Sequence, residues 1–182
     1  MKHLLAILML FVGISAFAQQ TSNTKAAPKE PENRGYIVNV GDTAPNFTIQ
    51  YLDGTTKQLS DLKGKVIMLQ FTASWCGVCR KEMPHIETDI WQKHKGNPNF
   101  VLLGIDLKEK PDVVTKFIEK TGITYPLVLD PDGSIFAKYA EKNAGVTRNI
   151  IIDKTGKITF LTRLFNESEF KAMKAHIDSL LK

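Results

Sequence analysis

The sequence predicts an α/β fold, a central mixed sheet flanked by helices, on three observations. Two apolar runs, VIMLQF at 66–71 and FVLLGID at 100–106, read as strands buried on both faces. Apolar residues recur at helical spacing in three segments: Met83, Ile86, Ile90 and Trp91; then Val113, Val114, Phe117 and Ile118; then Phe170, Met173, Ile177 and Leu180. Short extended runs also meet at Asp53-Gly54 and at Lys154-Thr155-Gly156, which are turn sequences of antiparallel hairpins.

The elements follow in order. MKHLLAILMLFVGISAFAQQ has a basic start at Lys2, a short apolar run and Ala16-Phe17-Ala18, the pattern of a cleaved export signal over residues 1–18. The run is short for a membrane span of about 20 residues, so no stable span is expected after cleavage. Residues 19–35 are polar, contain Pro28 and Pro31, and read as a flexible linker. The folded domain is expected over 36–182. It opens with the hairpin at Asp53-Gly54, a turn at 60–65 and the first buried strand. A helix follows from near Cys76, with a kink expected at Pro84. Pro111 suits the first turn of the next helix and Gly122 its end. YPLVLD then gives a short strand and residues 134–141 a helix. The late hairpin NIIID/KITFLT leads to a last helix capped by Asn166, with Glu169 as its capping-box partner.

Composition excludes several classes of function. With 43% hydrophobic and 24% charged residues, the chain reads as a folded soluble domain rather than a disordered one. The net charge of +5 comes from scattered lysines, which are solvated faces and not a nucleic-acid surface.

The chemistry is concentrated in SWCGVCR, which holds both cysteines, Cys76 and Cys79. A thiol at the start of a helix feels unpaired backbone N–H groups; its thiolate is stabilised and it becomes nucleophilic near neutral pH. Two intervening residues bring the second sulfur over the first, so a disulfide can form and reopen. On this reading Cys76 attacks and Cys79, one turn deeper, resolves. A structural zinc site needs four ligands, and His85, His94 and His176 show no ligand spacing with the pair. No metal and no cofactor is expected.

The stretch VGDTAPNFTIQYLDGTTKQLSDLKGKVIMLQFTASWCGVCRKEMPHIE, followed by LLGIDLKEK, YPLVLD and IIIDKTGKI, resembles the TlpA/ResA-type thioredoxin-like proteins, which are exported bacterial thiol–disulfide oxidoreductases. The resemblance implies a thioredoxin fold with an N-terminal β-hairpin and a central helix–strand insertion. It implies dithiol–disulfide exchange at Cys76 and Cys79, with Trp75 beside the nucleophile; by itself Trp75 also reads as a packing residue. It also implies a periplasmic location, clients that are exported protein thiols or disulfides (apocytochrome c among them), and a membrane or periplasmic thiol as electron donor. In the family a glutamate three residues after the second cysteine helps to tune the thiols. That position is Glu82, which by itself also reads as a solvated helix residue; Glu109 is a second candidate. Gln70 stands where many thioredoxins carry a buried aspartate. Thr147 stands where the fold usually has a cis-proline, so a trans loop facing the pair is expected and substrate docking is open to change. Arg148 reads as a surface charge or as an anion contact near the sulfurs.

Two alternatives remain. A peroxidase on the same fold would want Pro and Thr seven and three residues before the cysteine, where Leu69 and Ala73 stand. A soft-metal module could hold Cu(I) between two thiolates, although no methionine cluster or nearby histidine supports it.

Overall fold

A computed structural model describes residues 34–182. The expected export signal and residues 19–33 of the expected linker lie outside the described residues. Seven strands form one mixed sheet in the order β2-β1-β5-β4-β3-β6-β7. They are β1 Thr48–Tyr51, β2 Thr56–Gln58, β3 Val66–Thr72, β4 Phe100–Leu107, β5 Leu127–Asp130, β6 Arg148–Ile152 and β7 Ile158–Arg163. The central strands β3, β4 and β5 run parallel; β6 on one side and β1 on the other are antiparallel to them, and the edge strand β7 is antiparallel to β6. Every residue of β3 is buried, as its apolar run requires. The β1–β2 hairpin turns at Gly54, whose φ of +83° is available at little cost without a Cβ.

The helices are α1 Gly77–Ile86, a three-residue α2 Gln92–His94, α3 Pro111–Thr121 and α4 Glu167–Leu180. Pro111 opens α3 and Gly122 closes it in the left-handed conformation. The irregularity expected at Pro84 appears one turn later, as a π-type turn at Glu87–Trp91 that joins α1 to α2. Apolar side chains of α1, α3 and α4 cover one face of the sheet. The other face is closed by 3₁₀ turns at Leu59–Leu62 and Phe136–Lys138 and by Tyr36 and Val38 of the N-terminal segment.

Two expectations are corrected here. The helix expected over 134–141 is only the 3₁₀ turn Phe136–Lys138. The Asp130 carboxylate accepts the N–H groups of Ile135 and Phe136, and the Tyr139 carbonyl and Glu141 N–H pair with Ile37 and Gly35, so those groups are taken out of any helical ladder. The Glu169 side chain also leaves the capping box. Asn166 caps α4 through the Glu169 N–H, but the Glu169 carboxylate binds Arg34 at 2.5 and 3.0 Å. The chain is therefore docked from Arg34 onward, within the stretch expected to be linker.

Candidate active site

Cys76 is the N-cap of α1, and its sulfur accepts the backbone N–H of Cys79 at 3.1 Å. The strand-to-helix turn after β3 thus places one sulfur at the positive end of a helix. Cys76 and Cys79 form a disulfide with Cα atoms 5.3 Å apart. Cys76 keeps 7% of its surface exposed and Cys79 none, so a partner reaches Cys76 first. Trp75 beside it is 63% exposed, more a rim for a partner than a packed side chain.

The loop before β6 meets the pair. The Thr147 hydroxyl lies 3.2 Å from the Cys76 sulfur and 3.3 Å from that of Cys79. All peptide bonds among the described residues are trans, as expected for a loop with threonine in the proline's place. The Thr147 carbonyl accepts the N–H of Leu164, an exposed apolar residue.

Glu82 is not solvated. It lies buried one turn beyond Cys79 on α1, on the same side of the helix. Its Oε1 accepts from Asn149 Nδ2 at 2.7 Å; its Oε2 is without a partner and Gln70 faces it. Burial raises its carboxyl to about 7, against the pull of the Asn149 and Gln70 amides. Gln70 in turn accepts from the Tyr125 hydroxyl at 2.7 Å, and Asn149 donates to Thr162 at 2.9 Å. A polar seam thus runs beneath α1, with an acid at its centre that titrates in the neutral range.

The Redoxin family profile matches residues 39–179. The chain belongs to the Redoxin family. This Redoxin member is 32% identical over 146 residues to the thiol-disulfide oxidoreductase ResA of Geobacillus thermodenitrificans, with 79% of each chain covered. Its fold matches the solution structure of a candidate protein disulfide isomerase from Bacteroides thetaiotaomicron at 59% identity and a TM-score of 0.78, covering 81% of this chain and 92% of the other. It also matches a candidate thiol:disulfide interchange protein DsbE from Chlorobium tepidum at 27% identity and a TM-score of 0.68, covering 80% and 99%. The expected resemblance and the thioredoxin fold are borne out, and the protein is a thiol–disulfide oxidoreductase with a Cys-x-x-Cys pair.

Arg148 needs correction, because it is not a surface charge. It is fully buried, donates from Nε to the Gly145 carbonyl and from Nη1 to the Arg34 carbonyl, and lies 4.5 Å over the Tyr36 ring. Register explains this: Arg148 follows Thr147, and consecutive strand residues point to opposite faces. Glu109 grips the active-site loop rather than the sulfurs, its carboxylate accepting both the N–H and the hydroxyl of Ser74 at 2.6 Å. His85 stacks on Phe165, His94 pairs with Asp178 and His176 contacts Thr159. Among the described residues no cluster of three potential metal ligands occurs. Sequence reasoning missed Asn149, Tyr125, Ser74 and Asp106. The available signal was a polar residue inside or ending an apolar strand run, as in NIIID and FVLLGID.

Proposed function

We propose that this Redoxin protein is exported to the periplasm and reduces disulfides in exported proteins, with Cys76 attacking and Cys79 resolving. One observation carries the assignment of roles: Cys76 sits at the helix N-cap at the surface, and Cys79 lies fully buried behind it. In the reduced protein the Cys76 thiolate attacks one sulfur of a client disulfide. A mixed disulfide forms, and the first client thiolate leaves and takes a proton. Cys79 then loses its proton, for which buried Glu82 is the acceptor. Its thiolate attacks the Cys76 sulfur, the mixed disulfide breaks and the second client thiol is released. The protein ends as the disulfide, and an extracytoplasmic thiol donor returns two electrons and two protons.

The Thr147 hydroxyl supplies a donor to either thiolate. Trp75 and Leu164 offer apolar contact to the client chain. Export rests on the N-terminal sequence pattern; among the described residues no helix is long and apolar enough to cross a membrane.

The test is trapping in cells. Cys79→Ala should accumulate mixed disulfides to Cys76 with exported proteins, and Cys76→Ala should accumulate none. Trapping by Cys76→Ala alone would reverse the roles. The reducing direction is tested by the potential of the pair, expected on the reducing side of about −200 mV; a value near the −120 mV of a strong oxidant would reverse the flux.

A further inference from the structure

Ser74, two residues before Cys76, is held at each of its polar groups. Its N–H and hydroxyl donate to Glu109, and its carbonyl accepts from Arg80 Nη1 at 2.6 Å. Both oxygens of Glu109 are thus spent as acceptors. Three residues earlier, at the end of β4, Asp106 is fully buried, and neither of its oxygens finds a donor. In register, β3 sets Thr72 beside it and β5 sets Leu129. From α1, Met83 packs there, its sulfur taking the Thr72 hydroxyl. Lys108 lies over Gly133. Glu109 is held at Ser74, two residues beyond the Thr72 that Asp106 pairs with, and its charge bears on Asp106. A buried anion beside a half-buried one costs more than one anion and one neutral acid.

We propose that Asp106 is a positioning residue for Cys76: as a neutral acid it donates its proton to Glu109, holds that carboxylate against Ser74, and so fixes the pose of the loop carrying Trp75 and Cys76. The inference rests on the thiol–disulfide reading of Cys76 and adds a residue outside the pair. Burial and the Glu109 carboxylate push the Asp106 carboxyl up to about 8. The grip is therefore intact at neutral pH and loosens above it, when Asp106 ionises and repels Glu109.

The test uses Trp75 as reporter in the oxidised protein, where no thiol titrates, with Trp91→Phe removing the second tryptophan. Trp75 fluorescence should step near pH 8, and the step should vanish in Asp106→Asn, whose amide donates without titrating. A flat wild-type profile, or the same step in Asp106→Asn, overturns the proposal. In the reduced protein at pH 7, Asp106→Ala should slow alkylation of Cys76 by about threefold or more, and Asp106→Asn should restore it to within about twofold. Equal rates in all three would also overturn it. If Asp106→Ala fails to fold, the fluorescence of Asp106→Asn decides. Fluorescence needs no turnover, so a protein that reduces no disulfide but shows the Asp106-dependent step would refute the oxidoreductase reading and not the grip.

Discussion

The two faces of the sheet are built by the same three strands and do different work. One face presents Ile67, Leu69 and Phe71 of β3, Leu103, Ile105 and Leu107 of β4, and Ile150 and Ile152 of β6, apolar from end to end. The other begins the same way, with Val66, Met68, Phe100, Leu102 and Ile151. By alternation it then continues into Gln70, Thr72, Gly104, Asp106 and Asn149, all beneath the helix that carries the cysteines. The first face holds Arg148 as a clasp on the N-terminal segment and Asp130 as the acceptor of the Ile135 and Phe136 N–H groups. The second holds two buried acids that titrate near neutrality. A buried ionisable group thus serves structure where carbonyls and a ring complete it, and is available to chemistry where its partners are incomplete.

The comparison can be broken most severely on the clasp side. Arg148→Ala should cost about 3 kcal/mol in denaturant unfolding, while alkylation of Cys76 in the folded variant stays within about twofold of wild type. A large rate loss without a stability loss would move Arg148 to the chemical face. Next comes Glu82→Gln. The folded carboxyl is raised from 4.5 to about 7, so its neutral form is favoured in the native state. The associated stability is full below pH 4.5 and is lost as pH rises to about 7. The glutamine variant should lack that slope and gain about 3 kcal/mol over wild type at pH 8. It should also lose the inflection near 7 in the rate of resolution at Cys79. An unchanged stability slope and rate profile would leave Glu82 a bystander.

Gly104→Ala probes the seam sterically. An added Cβ would stand 2.1 Å from a Leu127 methyl and 3.3 Å from the Tyr125 ring. The cost should be about 1.5 kcal/mol, and a neutral result would mean that the seam is looser than its contacts. Thr147→Val removes the hydroxyl between the sulfurs and should raise the Cys76 titration by about half a unit; pH-dependent alkylation reads this directly, and an unshifted curve would show that the hydroxyl is idle. Smallest in stability is Trp75→Ala, expected within about 0.5 kcal/mol of wild type yet slower with protein disulfides than with a small disulfide. Equal slowing with both would deny Trp75 a client contact.

Most of the frame was legible in the sequence because it follows from period and turn chemistry. The runs at 66–71 and 100–106, the hairpins at Gly54 and Gly156 and the stripe of Met83, Ile86 and Ile90 occupy the places their patterns demand. The cysteine pair was equally plain. Arg148 and Glu82 were harder for a shared reason. A single polar residue shows neither which side of an element it will face nor whether distant residues will complete it. Arg148 depends on Arg34, Gly145 and Tyr36, and Glu82 on Gln70 and Asn149. The segment at 134–141 failed as a helix because residues 35–37 recruited its backbone, a long-range competition that local propensity does not register.

Thr147 has one consequence for the order of events. A hydroxyl carries a single hydrogen, and this one stands almost equally far from two sulfurs, at 3.2 and 3.3 Å. Once the disulfide opens, it can serve only one of them at a time. A turn about the Cβ–Oγ bond is enough to pass that hydrogen from one to the other, a motion of picoseconds to nanoseconds in an unhindered rotor. A proline ring at this position has no such hydrogen to pass. The threonine therefore gives the loop a fast rotary relay, whose position follows whichever sulfur is carrying the negative charge.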